Sequence, residues 1–292
     1  MKRHWPRFTV ARRLVGAGFL LAFALAVRGD LAWFRGGPVA TRSFGVLPLV
    51  DPLAALELVL AGGGVPLQVV VGAGVLLLAA ALLGPVFCGW VCPLGFLLDL
   101  GDAVRRRALR SLHRPLPPAV ALPRGLRPAL LGATLGAAAV AGGAVFTPWS
   151  PIRSAAEAVG TGAPAAIAVV AALLVAEWFA PRLWCRALCP LGALYSFVGA
   201  VAPLRVRIAA GDQGKLACRL CTRSCTMGLR VMEDHALRGA AAVDDPACTR
   251  CGSCVDACPG GVLRLGCRSR TRADGQAPAA PSSSSASAQS CP

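Results

Sequence analysis

Long apolar stretches alternate with blocks of basic and polar residues along the first two thirds of this chain. Four stretches approach the ~20 apolar residues with which an α-helix crosses a bilayer, and each ends at glycine, proline or a charged residue. They cover residues 14–27, 65–83, 129–146 and 164–180. With 55% hydrophobic residues overall, the pattern predicts an α-helical membrane domain with four transmembrane helices over residues 1–205.

The first apolar stretch has two interpretations. Lys2, Arg3 and Arg7 precede it and residues 24–26 read Ala-Leu-Ala, a pattern also found in cleaved signal peptides. The adjacent pair at residues 12–13 faintly resembles a twin-arginine signal. An uncleaved anchor is favoured because the later helices need packing partners.

Basic residues predict the orientation of the spans. Residues 1–13 carry five Lys or Arg side chains and no acidic one, and seven arginines lie within residues 105–127. Because Lys and Arg concentrate on the cytoplasmic side, four crossings place both termini in the cytoplasm. The same rule accounts for the net charge of +16 without a nucleic-acid partner. The sequence thus predicts a multi-pass protein of the bacterial cytoplasmic membrane, with the lipid bilayer as its first partner.

Two sequence repeats end in the same cysteine motif. Residues 87–95 read Phe-Cys-Gly-Trp-Val-Cys-Pro-Leu-Gly, and residues 184–192 read Trp-Cys-Arg-Ala-Leu-Cys-Pro-Leu-Gly. Each motif follows a span, which predicts two parallel helical hairpins that bring both cysteine pairs to the cytoplasmic rim. The shorter segments 53–60 and 155–159 are predicted to lie at the outer interface or to re-enter the membrane.

The paired cysteines of these motifs, Cys88 with Cys92 and Cys185 with Cys189, admit several functions. Proline after the second cysteine predicts that a helix starts just beyond it. Four thiols converging from two repeats could hold a metal or cluster, dock a partner, or switch between dithiol and disulfide. The alternative is that they are small buried side chains that allow close helix packing.

From residue 206 the chain becomes polar and rich in cysteine, and the run Cys248-x2-Cys251-x2-Cys254-x3-Cys258-Pro has the spacing of a bacterial ferredoxin. In such runs the first three thiolates hold one cluster and the fourth serves the other. Zinc, in contrast, normally takes two separated pairs. The run predicts an α+β ferredoxin-like two-cluster domain over residues 206–267.

The upstream run, Cys218-x2-Cys221-x3-Cys225, is a degenerate copy. Aligning its last cysteine with the fourth position places Lys215 where the first ligand belongs. An alternative register that starts at Cys218 puts Ser224 in the third position.

The favoured register predicts two unequal clusters, one 4Fe-4S and the other 4Fe-4S or 3Fe-4S. The complete ligand set is Cys225, Cys248, Cys251 and Cys254. The incomplete set is Cys218, Cys221 and Cys258, with Asp212 or Cys267 as conceivable stand-ins.

Haem is not expected. The chain has three histidines, none of them inside a span, and it has no Cys-x-x-Cys-His motif. Glu177, near the end of the last span, is interpreted either as a proton relay or quinol contact or as a solvated side chain. Tryptophans near the span ends, among them Trp90 and Trp184, are assigned to an interfacial aromatic belt. Residues 268–292 form a low-complexity tail that is predicted to be disordered.

With both Cys-x3-Cys-Pro-Leu-Gly motifs followed by a ferredoxin pair, the chain resembles the NapH and MauN family of membrane ferredoxin-type proteins. The resemblance implies a membrane component of a quinol dehydrogenase, an electron-transfer subunit rather than a stand-alone enzyme. It implies electrons taken from membrane quinol and passed through the clusters to a partner iron–sulfur or cytochrome redox protein.

Two other functions are weighed against electron transfer from quinol. Proteins with similar Cys-Pro motifs, CcoG and NosR, look like assembly or regulatory factors for respiratory metalloenzymes. A membrane anchor that holds zinc is the third interpretation.

Overall fold

The structure, a computed structural model, describes residues 6–28, 34–37, 40–43, 47–113, 123, 125–209 and 218–267, and only the backbone between residues 34 and 50. A long helix, α1 (Arg7–Arg28), leads into the first repeat, and α6 (Leu126–Ala141) leads into the second. The first repeat comprises α2 (Pro52–Leu60), α3 (Leu67–Leu83), α4 (Val86–Trp90) and α5 (Pro93–Ser111). The second comprises α7 (Pro151–Gly160), α8 (Pro164–Phe179), a π-helical turn (Trp184–Leu188) and α9 (Pro190–Val198).

Proline marks the start of four helices in equivalent places of the two repeats. It occupies the first turn of α2, α5, α7 and α9, where its missing N–H leaves no hydrogen bond unmade. Helices α5 and α9 begin directly after Cys92 and Cys189, as the sequence predicts.

The core of the helical unit forms where these helix starts meet. Leu53 of α2 and Ile152 of α7 pack in one buried cluster with Leu94, Leu191 and Tyr195. The starts of the two short segments therefore belong to the core of the helical unit.

The four predicted spans correspond to α1, α3, α6 and α8, but the structure does not by itself confirm four crossings. Among the described residues, only α1 is both long and apolar enough to cross a membrane by length and composition. Helices α3, α6 and α8 are apolar but have 17, 16 and 16 residues. At 1.5 Å per residue they are roughly 25 Å long, somewhat shorter than a bilayer's hydrocarbon core.

A small antiparallel sheet precedes α2, and the hydrophobic pattern gives no sign of it. It contains β1 (Phe34–Gly37), β2 (Ala40–Ser43) and β3 (Leu47–Val50), paired in that order.

The ferredoxin-like unit is built on a two-stranded antiparallel sheet. Strand β4 (Leu204–Ile208) pairs with β5 (Leu263–Cys267). Between the two strands in the chain lie two short helices, α10 (Leu220–Ser224) and α11 (Ser253–Asp256), and each contains one cysteine. Since β4 begins at Leu204, the unit starts two residues before the predicted boundary at 206. Three features of the sequence analysis lie outside the described residues: the tail at 268–292, Lys215 and Asp212.

Candidate cluster-binding site

The two Cys-x3-Cys pairs meet at one internal cavity. Cys88 and Cys92 from the first repeat and Cys185 and Cys189 from the second all line it. The Gly95 amide donates to Cys92 Sγ at 3.4 Å. The Gly192 amide donates to Cys189 Sγ at 3.3 Å, so the second thiol of each pair caps a helix N-terminus. That position favours a thiolate, because the helix dipole presents positive charge there.

The cavity is small. Its volume is about 30 Å³, far below the ~300–1,000 Å³ of typical small-molecule sites. Its four thiols suit a compact group that thiolates ligate.

Three arginines line the same cavity. Arg12 comes from α1, Arg127 from α6, and Arg182 from the turn after α8. Arg12 and Arg182 are each only 5% exposed, and both pair with Asp99, at 2.7 and 3.4 Å. One buried carboxylate therefore faces two buried guanidiniums, and Arg127 adds a third positive charge at the cavity.

Several buried donors at the cavity have no acceptor. The Nε atoms of Arg12, Arg127 and Arg182, and Trp184 Nε1, are buried without a hydrogen-bond partner among the described residues. Buried unpaired donors are costly. Their number and positive charge fit a cavity that holds an anionic group, such as a cluster with four thiolate ligands.

Burial keeps the free thiols protonated. It raises the pKa of Cys92 to about 12, and neighbouring Cys185 adds to the shift. Burial also raises the pKa of Cys189. Since metals bind the thiolate, loading such a site releases protons, and the surrounding guanidiniums stabilise the charge that results.

The thiols of the two cysteine runs influence one another in the ferredoxin-like unit. After burial, Cys251 and Cys248 help to raise the pKa of Cys225, and Cys258 and Cys218 help to raise that of Cys221. Burial raises the pKa of Cys254, and Cys251, Cys225, Cys248 and Cys221, which belong to both predicted sets, add to the shift. Among the residues described, no three Cys, His, Asp or Glu side chains lie close enough to hold a single metal ion.

Both cysteine runs share one local conformation. Arg219, after Cys218, has a φ of 55°, and α10 follows it. Gly252, after Cys251, has a φ of 76°, and α11 follows it. Cys218 and Cys251 therefore lie at equivalent places before a short helix. Cys267 is exposed at the end of β5.

The complete cysteine set lies against the membrane motif. A Cβ added to Gly89, the residue after Cys88, would lie 3.4 Å from Cys251 Cβ. Burial would raise the pKa of the Cys251 thiol, but the Arg12 guanidinium and hydrogen bonds from Thr226 and Ser253 lower it below its usual value. A residue of α1 thus acts directly on a ligand position of the ferredoxin-like unit.

Arg250 joins the ferredoxin-like unit to both repeats. It sits between Cys248 and Cys251, is 4% exposed, and adopts a φ of 53°. Its guanidinium donates to Leu83 O at 2.8 Å and to Gly199 O at 2.9 Å. These carbonyls lie at the C-terminal ends of α3 and α9, where helix carbonyls often lack intrahelical partners. Gly199 O also accepts from the Ala202 amide at 3.2 Å.

A second contact joins the unit to α1. Asp256, between Cys254 and Cys258, accepts from the Thr9 amide at 2.8 Å, Thr9 Oγ1 at 2.9 Å and the Phe8 amide at 3.2 Å. The carboxylate caps the N-terminus of α1 in the manner of an N-cap side chain. Helix α1 therefore packs as part of the folded unit.

Several predicted roles change in the structure. Arg12, interpreted as part of a possible export signal, is a buried ion-pair partner, and Trp184 lines the thiol cavity. Trp90 donates to Arg250 O at 3.4 Å. Both tryptophans therefore belong to the site and not to an interfacial belt. Glu177 is 7% exposed and accepts from the Arg182 amide, so it is not solvated.

The functional residues that sequence reasoning missed are basic or acidic side chains close to cysteine motifs. Arg182 lies three residues before Cys185, and Arg250 and Asp256 lie inside the ferredoxin run itself. Their proximity to the cysteines was the available signal, but their partners come from distant segments.

Comparisons with known proteins agree with these features. A family described as "4Fe-4S binding domain" matches residues 65–111 and again residues 162–208, the two repeats. A family described as "4Fe-4S dicluster domain" matches residues 216–263. No solved structure matches the chain.

Curated relatives cover most of the chain. The ferredoxin-type protein NapH of Escherichia coli is 33% identical, over 90% of this chain and 92% of its own length. The methylamine utilization ferredoxin-type protein MauN of Methylorubrum extorquens is 30% identical, over 86% of this chain and 87% of its own. The putative electron transport protein YccM of Escherichia coli is 32% identical over 61% of this chain and 50% of its own. The chain belongs to the NapH and MauN family of ferredoxin-type iron–sulfur proteins.

Proposed function

We propose that this iron–sulfur electron-transfer protein spans the bacterial cytoplasmic membrane four times, with both termini in the cytoplasm. Large apolar side chains on α3, α6 and α8 point outward, with exposures of 61% for Leu78, 91% for Val140 and 75% for Phe179. Exposed apolar side chains on three apolar helices are unusual for a protein in water and expected for one in lipid. The basic residues around α1 and α5 favour the cytoplasmic side for both ends.

The ferredoxin-like unit is proposed to hold two clusters. The ligands of the first are Cys225, Cys248, Cys251 and Cys254. The second is held by Cys218, Cys221 and Cys258, and its fourth ligand is not a cysteine of either run. The spacing of the two cysteine runs and their shared local conformation support the division.

The four membrane-motif thiols are proposed to hold a further iron–sulfur cluster. The observation that carries this proposal is the cavity in which Cys88, Cys92, Cys185 and Cys189 meet unpaired buried donors from three arginines and a tryptophan. Zinc bound by four thiolates would carry the same net charge as an oxidised four-iron cluster, so analysis of metal and acid-labile sulfide separates the two.

The clusters, when bound, supply one-electron carriers. The protein's own residues keep the carriers close together and away from water. Arg250 and Asp256 hold the ferredoxin-like unit against the helices, and Arg12 bridges the thiol cavity to Cys251. The proposed function is to accept electrons from membrane quinol, release its protons to water, and pass the electrons to a partner iron–sulfur or cytochrome redox protein.

Quinol oxidation by the purified protein tests this function. Anaerobically prepared protein in lipid nanodiscs is mixed with a reduced quinol analogue, and the bleaching of cluster absorbance is followed. Wild-type protein should be reduced, whereas Cys88→Ser/Cys185→Ser should insert normally but be reduced at least tenfold more slowly. The matched control is Cys267→Ser, which removes an exposed thiol and should behave as wild type. Wild-type clusters that dithionite reduces but quinol does not would favour an assembly or regulatory role.

A further inference from the structure

A large basic cleft opens between the helical unit and the ferredoxin-like unit. It has a volume of about 580 Å³ and lies between the start of α1, the outer part of α5, and helices α10 and α11. Five arginines line it: Arg12, Arg13, Arg106, Arg107 and Arg110. The cleft is separate from the small thiol cavity described above, although Arg12 and Thr226 line both.

The acidic side chains of the cleft are already paired. Asp99 is held by Arg12, Arg13 and Arg182. Asp102 is held by Arg105 at 3.1 Å and by Arg106 at 2.6 Å. Asp256, the third, is occupied by its contacts with the start of α1.

Two arginines of the cleft have guanidinium N–H groups without a hydrogen-bond partner among the described residues. Arg107 is exposed, and within the described part of the chain its guanidinium has no partner. Arg110 is also exposed, and among the described residues it donates through Nε alone, to Arg106 O at 3.1 Å. Both lie in the last two turns of α5, so the described part of the cleft presents positive charge without an acidic partner.

Two exposed apolar side chains lie beside this basic surface on α5. Leu100 and Val104 precede Arg107 at helical spacing and share its face of α5. They are 46% and 59% exposed, and both line the cleft. Hydroxyl groups of Ser224, Thr226 and Ser253 complete the opposite wall.

We propose that this cleft binds the headgroup of an anionic phospholipid, with the phosphate on Arg107 and Arg110 and the acyl chains along Leu100 and Val104. Guanidinium groups bind phosphate oxygens in pairs, and basic pockets at the cytoplasmic rim of helical membrane proteins suit anionic headgroups. An acidic protein partner would not need the exposed leucine and valine. Quinol, which is neutral and gives up protons, would find no free base among the paired carboxylates.

A lipid in this position would bridge the two units. The cleft wall includes Thr226 and Ser253, whose hydroxyls lie 3.5 and 3.6 Å from Cys251 Sγ. The bound headgroup would therefore contact α5 on one side and the loop of the complete cysteine set on the other. The inference depends on the proposed membrane location but not on quinol oxidation.

Lipid binding to the full-length protein in detergent tests the inference. Phosphatidylglycerol, phosphatidylcholine and inorganic phosphate are titrated separately, and bound lipid is counted by native mass spectrometry alongside the thermal unfolding midpoint. Phosphatidylglycerol should bind and raise the midpoint. Phosphatidylcholine should bind at least tenfold more weakly. In Arg107→Gln/Arg110→Gln, most of the preference for phosphatidylglycerol over phosphatidylcholine should be lost, while the iron content stays that of wild type.

The matched control is Arg230→Gln/Arg238→Gln, which removes the same charge from two exposed arginines beside Asp234. It should retain phosphatidylglycerol binding. Equal binding of both lipids, or an equal loss in the control, would overturn the proposal. An equal midpoint shift from inorganic phosphate would also overturn it. So would a quinol analogue that binds the wild-type protein but no longer binds Arg107→Gln. If Arg107→Gln/Arg110→Gln does not fold, Arg107→Gln alone provides the same comparison, because that side chain has no described partner.

A protein that binds phosphatidylglycerol selectively but never oxidises quinol would retain this inference and refute the proposed function.

Discussion

Arg250→Ala should release the ferredoxin-like unit from the helices. The substitution removes the donors to Leu83 O and Gly199 O, two carbonyls at helix ends. Gly199 O keeps its hydrogen bond from the Ala202 amide, so only Leu83 O loses its described partner. Leaving one buried carbonyl unpaired costs about 1–3 kcal/mol of docking free energy. Since about 1.4 kcal/mol corresponds to a factor of ten, the undocked population should rise at least roughly fivefold.

Hydrogen exchange measures this undocking. Amides at the start of α1, which Asp256 caps, should exchange faster in Arg250→Ala than in wild type, and so should those of the 248–256 loop. The control Arg238→Ala removes an exposed arginine, 71% accessible in its side chain, and should change neither region.

Gly84→Ala should disrupt the same contact of Arg250 without changing Arg250 itself. Gly84 has a φ of 82°, and an added Cβ would lie 0.8 Å from Arg250 Nη1, so the guanidinium must leave while the cysteine loop keeps its sequence. This variant separates undocking from cluster loss. Unchanged exchange at α1 in both variants, with wild-type iron content, would refute the assigned role of Arg250.

Three further predictions concern the cysteine sets and their neighbours. Lys215→Cys should supply the missing ligand, so that electron paramagnetic resonance shows the aberrant or labile signal converting toward an ordinary four-iron one; unchanged spectra would mean that the register is wrong. Arg182→Gln removes a positive charge beside the thiol cavity and should lower the reduction potential of the cluster there by tens of millivolts, measured by redox titration; an unchanged potential would contradict its electrostatic role. Asp256→Ala removes the cap of α1 and should cost about 1–2 kcal/mol, read from denaturant unfolding, whereas Asp256→Asn, which retains an acceptor oxygen, should lose less.

The elements that the sequence predicts best are those set by local chemistry. Proline after Cys92 and Cys189 has no N–H, so it predicts where α5 and α9 begin. The spacing of the ferredoxin run likewise predicts which thiols group together, because a tight loop limits where three neighbouring side chains can point.

The elements that sequence reasoning missed depend on distant partners. Arg12 and Arg182 look like membrane-flanking charges until Asp99, more than eighty residues away from either, is seen to pair with both. Arg250 resembles a loop residue until the ends of α3 and α9 meet it. Charge alone predicts on which side of a membrane a segment lies, but not whether a later helix buries it.

The count of iron and acid-labile sulfide per chain tests the central claim most directly. Anaerobically purified wild-type protein should contain about 11–12 irons, from two clusters in the ferredoxin-like unit and one at the membrane thiols. Replacing Cys88, Cys92, Cys185 and Cys189 together with serine should lower the count by about four and leave the ferredoxin signals intact. A wild-type count near eight that the quadruple substitution does not change would contradict a cluster at the membrane thiols.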